Sequence, residues 1–131
     1  MKIFVTFLLI SILSGCHSSK VGSKVLNIEG NWRWIEKSGG FAGRKTTPES
    51  TNQQMSLQIT KDSMFYYTSG ELVSKQAYQL VRSQSLLDKK DHWTIKGSEP
   101  KVLIDKTDNF LIIREDCYDC FINKYEKSDG K

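Results

Sequence analysis

From Val25 onward the apolar residues fall in short runs rich in β-branched and aromatic side chains, and no stretch keeps the 3.6-residue spacing of an amphipathic helix. The clearest run covers about 53–60, where Met55, Leu57 and Ile59 alternate with Gln54, Ser56 and Gln58. Side chains alternate across a strand, so this segment has one apolar and one polar face, as expected of an antiparallel sheet with one wet side. The same rule over about 26–37 places Ile28, Gly30, Trp32 and Trp34 on one face. Further strands are predicted over 64–68, 72–82, 92–97, 101–106, 110–115 and 120–127. Lys61-Asp62-Ser63, Ser69-Gly70 and Asp108-Asn109 read as the turns between them, and "SGGFAGRKTTPES", residues 38–50, reads as a long glycine-rich loop.

Eight short strands in succession predict an all-β domain over 25–127, followed by a tail at 128–131. The simplest arrangement is an eight-stranded antiparallel up-and-down barrel, whose closure leaves no free edge; a two-sheet β-sandwich is the alternative. Alternation turns Trp34, Met55, Leu57, Ile59, Tyr66, Tyr78, Trp93 and Tyr125 inward. Such a set either lines an apolar pocket with a few polar handles or fills a small barrel by itself. Trp34, Met55, Leu57, Tyr66, Tyr78 and Trp93 are therefore the candidate contacts for a small apolar ligand.

The N-terminus, "MKIFVTFLLISILSGCHSSK", has a cationic Lys2 and an apolar run from Ile3 to Ile12. That run is about half of the ~20 residues a membrane span needs, so residues 1–15 read as a signal peptide. Leu13-Ser14-Gly15-Cys16 resembles the lipobox of bacterial lipoproteins, which implies cleavage before Cys16 and acylation of that residue. At ~0.8 kcal/mol per buried methylene, two or three acyl chains hold a protein on a membrane where one does not. Residues 16–24 are polar and serine-rich, a flexible tether. Surface-exported lipoproteins of the Bacteroidetes type carry acidic residues just after the cysteine; none occurs here, which implies the periplasmic face of the outer membrane.

Composition bounds the partners. The chain has 131 residues and a formal net charge of +4, one domain's worth with a modest excess of scattered cations. No basic stripe follows a phosphate backbone, so nucleic acid is not an expected partner. No cofactor motif is complete either. "GGFAGRKTT" departs from a phosphate-binding P-loop because Arg44 separates Gly43 from Lys45 and no helix is expected after it. His92 is the single histidine of the folded domain, which leaves no His pair for a metal and no evident catalytic triad, and the domain is not expected to be an enzyme. Phe41 and Arg44 in the glycine-rich loop are candidates for contacting an envelope protein.

"REDCYDCF", residues 114–121, holds Cys117 and Cys120 among Glu115, Asp116 and Asp119. Negative neighbours disfavour a redox-active thiolate, and a zinc site needs two more ligands, for which His92 and a carboxylate are the available types. A disulfide is expected instead. Fully extended, residues three apart lie ~10 Å apart, beyond the ~7 Å a bridge allows, so Tyr118-Asp119 must turn.

Gly30-Asn31-Trp32 resembles the G-x-W that opens the first strand of lipocalins and other calycins. The longer pattern of G-x-W-x-W, SGG-x-AG, TPES and CYDC resembles small lipocalin-like lipoproteins of Bacteroidetes across most of the chain. The last strand offers Lys124 and Lys127, with Arg114 one strand earlier, where lipocalins place an arginine over that tryptophan. The resemblance implies a barrel that binds a small apolar ligand at the cell envelope, or a partner-binding module that uses its rim. Fatty-acid labelling is expected to mark the wild-type protein and to be lost in Cys16→Ala with export retained. Label that survives the substitution refutes the anchor.

Overall fold

A computed structural model describes residues 24–129. The signal peptide, Cys16, the tether up to residue 23 and the last two residues of the tail lie outside the described residues. The domain is all-β and antiparallel. Its strands are β1 (Gly30–Gly39), β2 (Arg44–Thr46), β3 (Met55–Ile59), β4 (Ser63–Thr68), β5 (Glu71–Ala77), β6 (Leu80–Gln84), β7 (Asp91–Ile95), β8 (Val102–Lys106), β9 (Phe110–Glu115) and β10 (Phe121–Ser128). A single helix among the described residues, α1 (Pro48–Thr51), follows β2.

All strands belong to one sheet, in the order β5-β4-β3-β1-β10-β9-β8-β7-β6, with β2 added to the outer half of β1. The first and last long strands thus pair, from Asn31 opposite Ser128 to Gly39 opposite Phe121. The expected closed ring of eight ladders is not formed, because β5 and β6 end the order and have no ladder between them. The reason lies in the segment expected as one strand over 72–82. Tyr78 donates its amide to Asp62 O on the β4 side, whereas Gln79 O accepts the Lys96 amide on the β7 side. The backbone changes partner between these two residues, and one predicted strand becomes two. The strands share one sheet, so the two-sheet sandwich is not formed either.

Two other boundaries differ from the sequence reading. The first strand starts at Gly30, not near Leu26, because the Asn27 side chain takes the Glu29 amide and Gly30 has φ +138°. The supposed loop 38–50 is shorter, since β1 runs on to Gly39, β2 folds back on it, and α1 follows. Thr47 caps that helix by accepting the Ser50 amide while the Ser50 hydroxyl takes the Thr47 amide, and Pro48 occupies the first turn. The Ser69-Gly70 turn is as expected: both residues have positive φ, which suits a tight two-residue hairpin.

One face of the sheet is packed. Ile28, Trp32, Trp34, Leu57, Ile59, Met64, Ile95, Ile104, Leu111 and Tyr125 form one buried cluster. Met55, Tyr66, Tyr78 and Trp93 pack against it, so all eight residues expected to point inward reach the same core. Trp32 is tied to the chain entry by its Nε1, which donates to Ile28 O at 3.0 Å in the interior. Trp32→Phe strands that carbonyl and leaves a void, and is expected to cost about 1–3 kcal/mol. Urea unfolding with an unchanged m-value checks this; an unchanged midpoint refutes it.

Candidate functional site

Among the open depressions of the surface, three measure about 190, 440 and 330 Å³. The first lies where β1 leaves β3 after the Arg33–Ser56 pair and α1 covers the gap; Trp34 and Met55 line it with Ile35, Pro48 and Glu49. The second is bounded by Leu26, Ile28, Tyr78 and Leu80 beside the β5–β6 junction. The third touches Trp32, Leu57 and Tyr67. The six candidate ligand contacts are thus divided: Trp34 and Met55 share one depression, Leu57 and Tyr78 line two others, and Tyr66 and Trp93 line none of these three. Trp34 Nε1 is buried without a hydrogen-bond partner. Burial pushes the phenols of Tyr66, Tyr78 and Tyr125 up, so the inward tyrosines stay neutral.

The other candidate region is one end of the sheet, where two turns meet. The turn after β1 carries Phe41, and the turn between β9 and β10 carries Tyr118. Phe41 is 96% exposed and Tyr118 89%. The Gly40 amide donates to Cys120 O at 3.4 Å, and a Cβ on Gly39 would collide with that same oxygen. Gly39 has φ +106°, so both the space and the backbone conformation require glycine. Phe121 lies against Gly40, and Lys37 Nζ sits 3.9 Å from the centre of its ring. Arg44 is exposed opposite Gly39, and Lys45 pairs with Glu36. Phe41 and Arg44, singled out from the sequence, are therefore joined by Tyr118 and Phe121, which were not.

The disulfide Cys117–Cys120 is present, with the Cα atoms 5.4 Å apart across the Tyr118-Asp119 turn. The acidic residues around it do different things. Glu115 accepts the Phe121 amide, and Asp119 is exposed. Asp116 is 1% exposed: its carboxylate takes the Ser85 hydroxyl at 2.7 Å and the Leu86 amide at 2.6 Å, and its own amide donates to Lys101 O. It fastens the turn to the loop after β6. Burial alone would raise its carboxyl, but the Leu86 amide, the Ser85 hydroxyl, the Leu87 amide and nearby Lys101 outweigh that and hold it below the usual range.

Comparison of the chain with family models, curated proteins and solved structures returns no match. Chemistry must be read from the geometry. The histidine cluster lies on the outer face of the sheet: His92 Nε2 is 2.8 Å from Asp88, its Nδ1 is 3.8 Å from Asp105, and Arg114 is 3.7 Å from Asp105. The Lys90 amide chiefly holds the Asp88 carboxyl below its usual range, with His92 adding to it against some burial. Ser83 stands opposite His92 across β6 and β7, but both ring nitrogens face carboxylates, so neither is aimed at the serine as a base.

Asp116→Ala is expected to destabilise the domain by about 2–3 kcal/mol near neutral pH, the scale of lost hydrogen bonds to a buried charge. Because folding depresses this carboxyl, its contribution is complete above its unfolded pKa of about 3.9 and is lost as pH falls through the lower folded value. Denaturation from pH 7 down to 2 should show that fall in wild type and lose it in Asp116→Asn; parallel curves contradict the assignment.

Proposed function

We propose that this chain is a lipid-anchored cell-envelope protein whose β domain binds a partner and does no catalysis. It meets a protein through the rim formed by the turn after β1 and the disulfide turn. The observation that carries this reading is the pair Phe41 and Tyr118, held almost fully in water on two turns that brace one another. Exposed aromatics with a neighbouring arginine are the residue types that dominate binding energy at interfaces. Bracing by the disulfide and by the close Gly39 contact lowers the ordering cost of association.

Position supports the same reading. The chain enters β1 at Gly30, and the rim lies beyond Gly39, ten strand residues or about 33 Å further on. An anchor at Cys16 on the periplasmic face of the outer membrane therefore leaves the rim free to turn away from that membrane. The finer reading of the fold is a lipocalin-like barrel. In its support, β1 pairs with β10, and the two free ends of the sheet are consecutive pieces of chain joined only by Tyr78-Gln79.

A second reading, a small apolar ligand, is favoured by one feature: the unpartnered indole Nε1 of Trp34, in a residue that lines the 190 Å³ depression with Met55. Photo-crosslinking in cells separates the two. A benzoylphenylalanine placed at Phe41 and, separately, at Tyr118 is expected to give the same adduct, weakened by Arg44→Glu. Asp108, exposed at the opposite end, should give none. Equal adducts from all three positions, or none from the rim, would sink the rim reading.

A further inference from the structure

The carboxylate of Glu115 and the sulfurs of Cys117 and Cys120 offer one ligand atom each, and these lie within 4.8 Å of one another. Two sulfurs at C-x-x-C spacing with a carboxylate form a donor set for a borderline-soft cation. Glu115 is held in place by the Phe121 amide at 3.2 Å, the kind of outer hydrogen bond that orients a ligating carboxylate. His92 does not take part: it lies between Asp88 and Asp105 on the outer face.

Hydrogen bonds hold the turn alongside the disulfide. On one side Asp116 is fixed by Ser85, Leu86 and Lys101; on the other, Cys120 O is fixed by the Gly40 amide. The loop that the bridge closes spans a sequence separation of only three, so the bridge adds little to the order of the unfolded chain. In a tetrahedral site with bonds of ~2.3 Å the two sulfurs stand ~3.7 Å apart. Side-chain rotation on Cα atoms 5.4 Å apart reaches that separation.

We propose that the reduced turn binds a thiophilic divalent cation of the zinc or cadmium class through both thiolates and Glu115, and that the disulfide is the closed state of this site. Opening is a two-electron reduction. A dithiol donates two electrons and two protons, becomes a disulfide itself, and leaves Cys117 and Cys120 as thiols. Binding the cation then releases both thiol protons to water. The fourth position stays open at the exposed tip, where water completes the coordination.

The test uses the full chain carrying Cys16→Ala, so that two thiols remain, reduced with a phosphine and titrated with Cd²⁺. Thiolate-to-cadmium charge-transfer absorbance is expected to saturate at one ion per chain and to be absent from the oxidised protein. Glu115→Gln keeps an oxygen for the Phe121 amide and should preserve the fold by circular dichroism, yet weaken binding by about tenfold or more. Asp119→Asn should bind as wild type. A band that saturates at one ion per two chains, an affinity unchanged in Glu115→Gln, or equal losses in both variants overturns the proposal.

Discussion

Pairing the first strand with the last is an expensive contact to form, because the ladder joins residues as far apart as Asn31 and Ser128 before it yields a hydrogen bond. Closing a loop of that length costs on the order of 4 kcal/mol of chain entropy. The return is the longest ladder in the sheet, with Trp34 opposite Tyr125 and both buried in the shared cluster. Every other neighbour in the sheet is also a neighbour in sequence, apart from β3, which follows β1 after the short β2–α1 excursion. The β1–β10 ladder sets where the remaining strands go. Its irregularity between Trp34 and Glu36 lets β1 continue past the packed interior and carry its end to the disulfide turn.

Strands with a clean alternation were legible in the sequence. Met55–Ile59 stands where its alternation puts it, because one apolar face demands one register, and Phe110–Glu115 stands where the turn before it and its apolar run put it. Partner exchange was not legible at Tyr78-Gln79. Both halves of that segment look like strand, and local pattern says nothing about which neighbour each one bonds. Asp116 was hidden for a similar reason. In sequence it is one of three acids near a turn, and its partners Ser85 and Leu86 lie some thirty residues away. Helix α1 did leave a signal, since Thr47-Pro48 with Ser50 is a start motif, but four residues give no periodicity to read.

The candidate site was half visible. Phe41 and Arg44 stood out in a glycine-rich loop, and the structure supplies the reason for the glycines: Gly39 must lie against the Cys120 carbonyl. Tyr118 did not stand out, because a tyrosine between two cysteines reads as turn filler until the neighbouring loop is placed beside it. The inward aromatics were identified correctly as inward. Direction along a strand does not reveal whether the space they meet is empty, and here the inward side chains pack into one cluster.

Among the described residues strand β5 is exposed along its whole length and bonds only to β4, which leaves a bare edge. Opposite Tyr66 and Tyr67 the ladder skips Val73, which bulges, and Lys75 places a charge two residues later. An incoming strand therefore finds no long straight run of free amides to copy, and stripping a cation from its water adds to the cost. This irregularity in a sheet without a closing ladder opposes growth by strand addition, the step that begins a fibre.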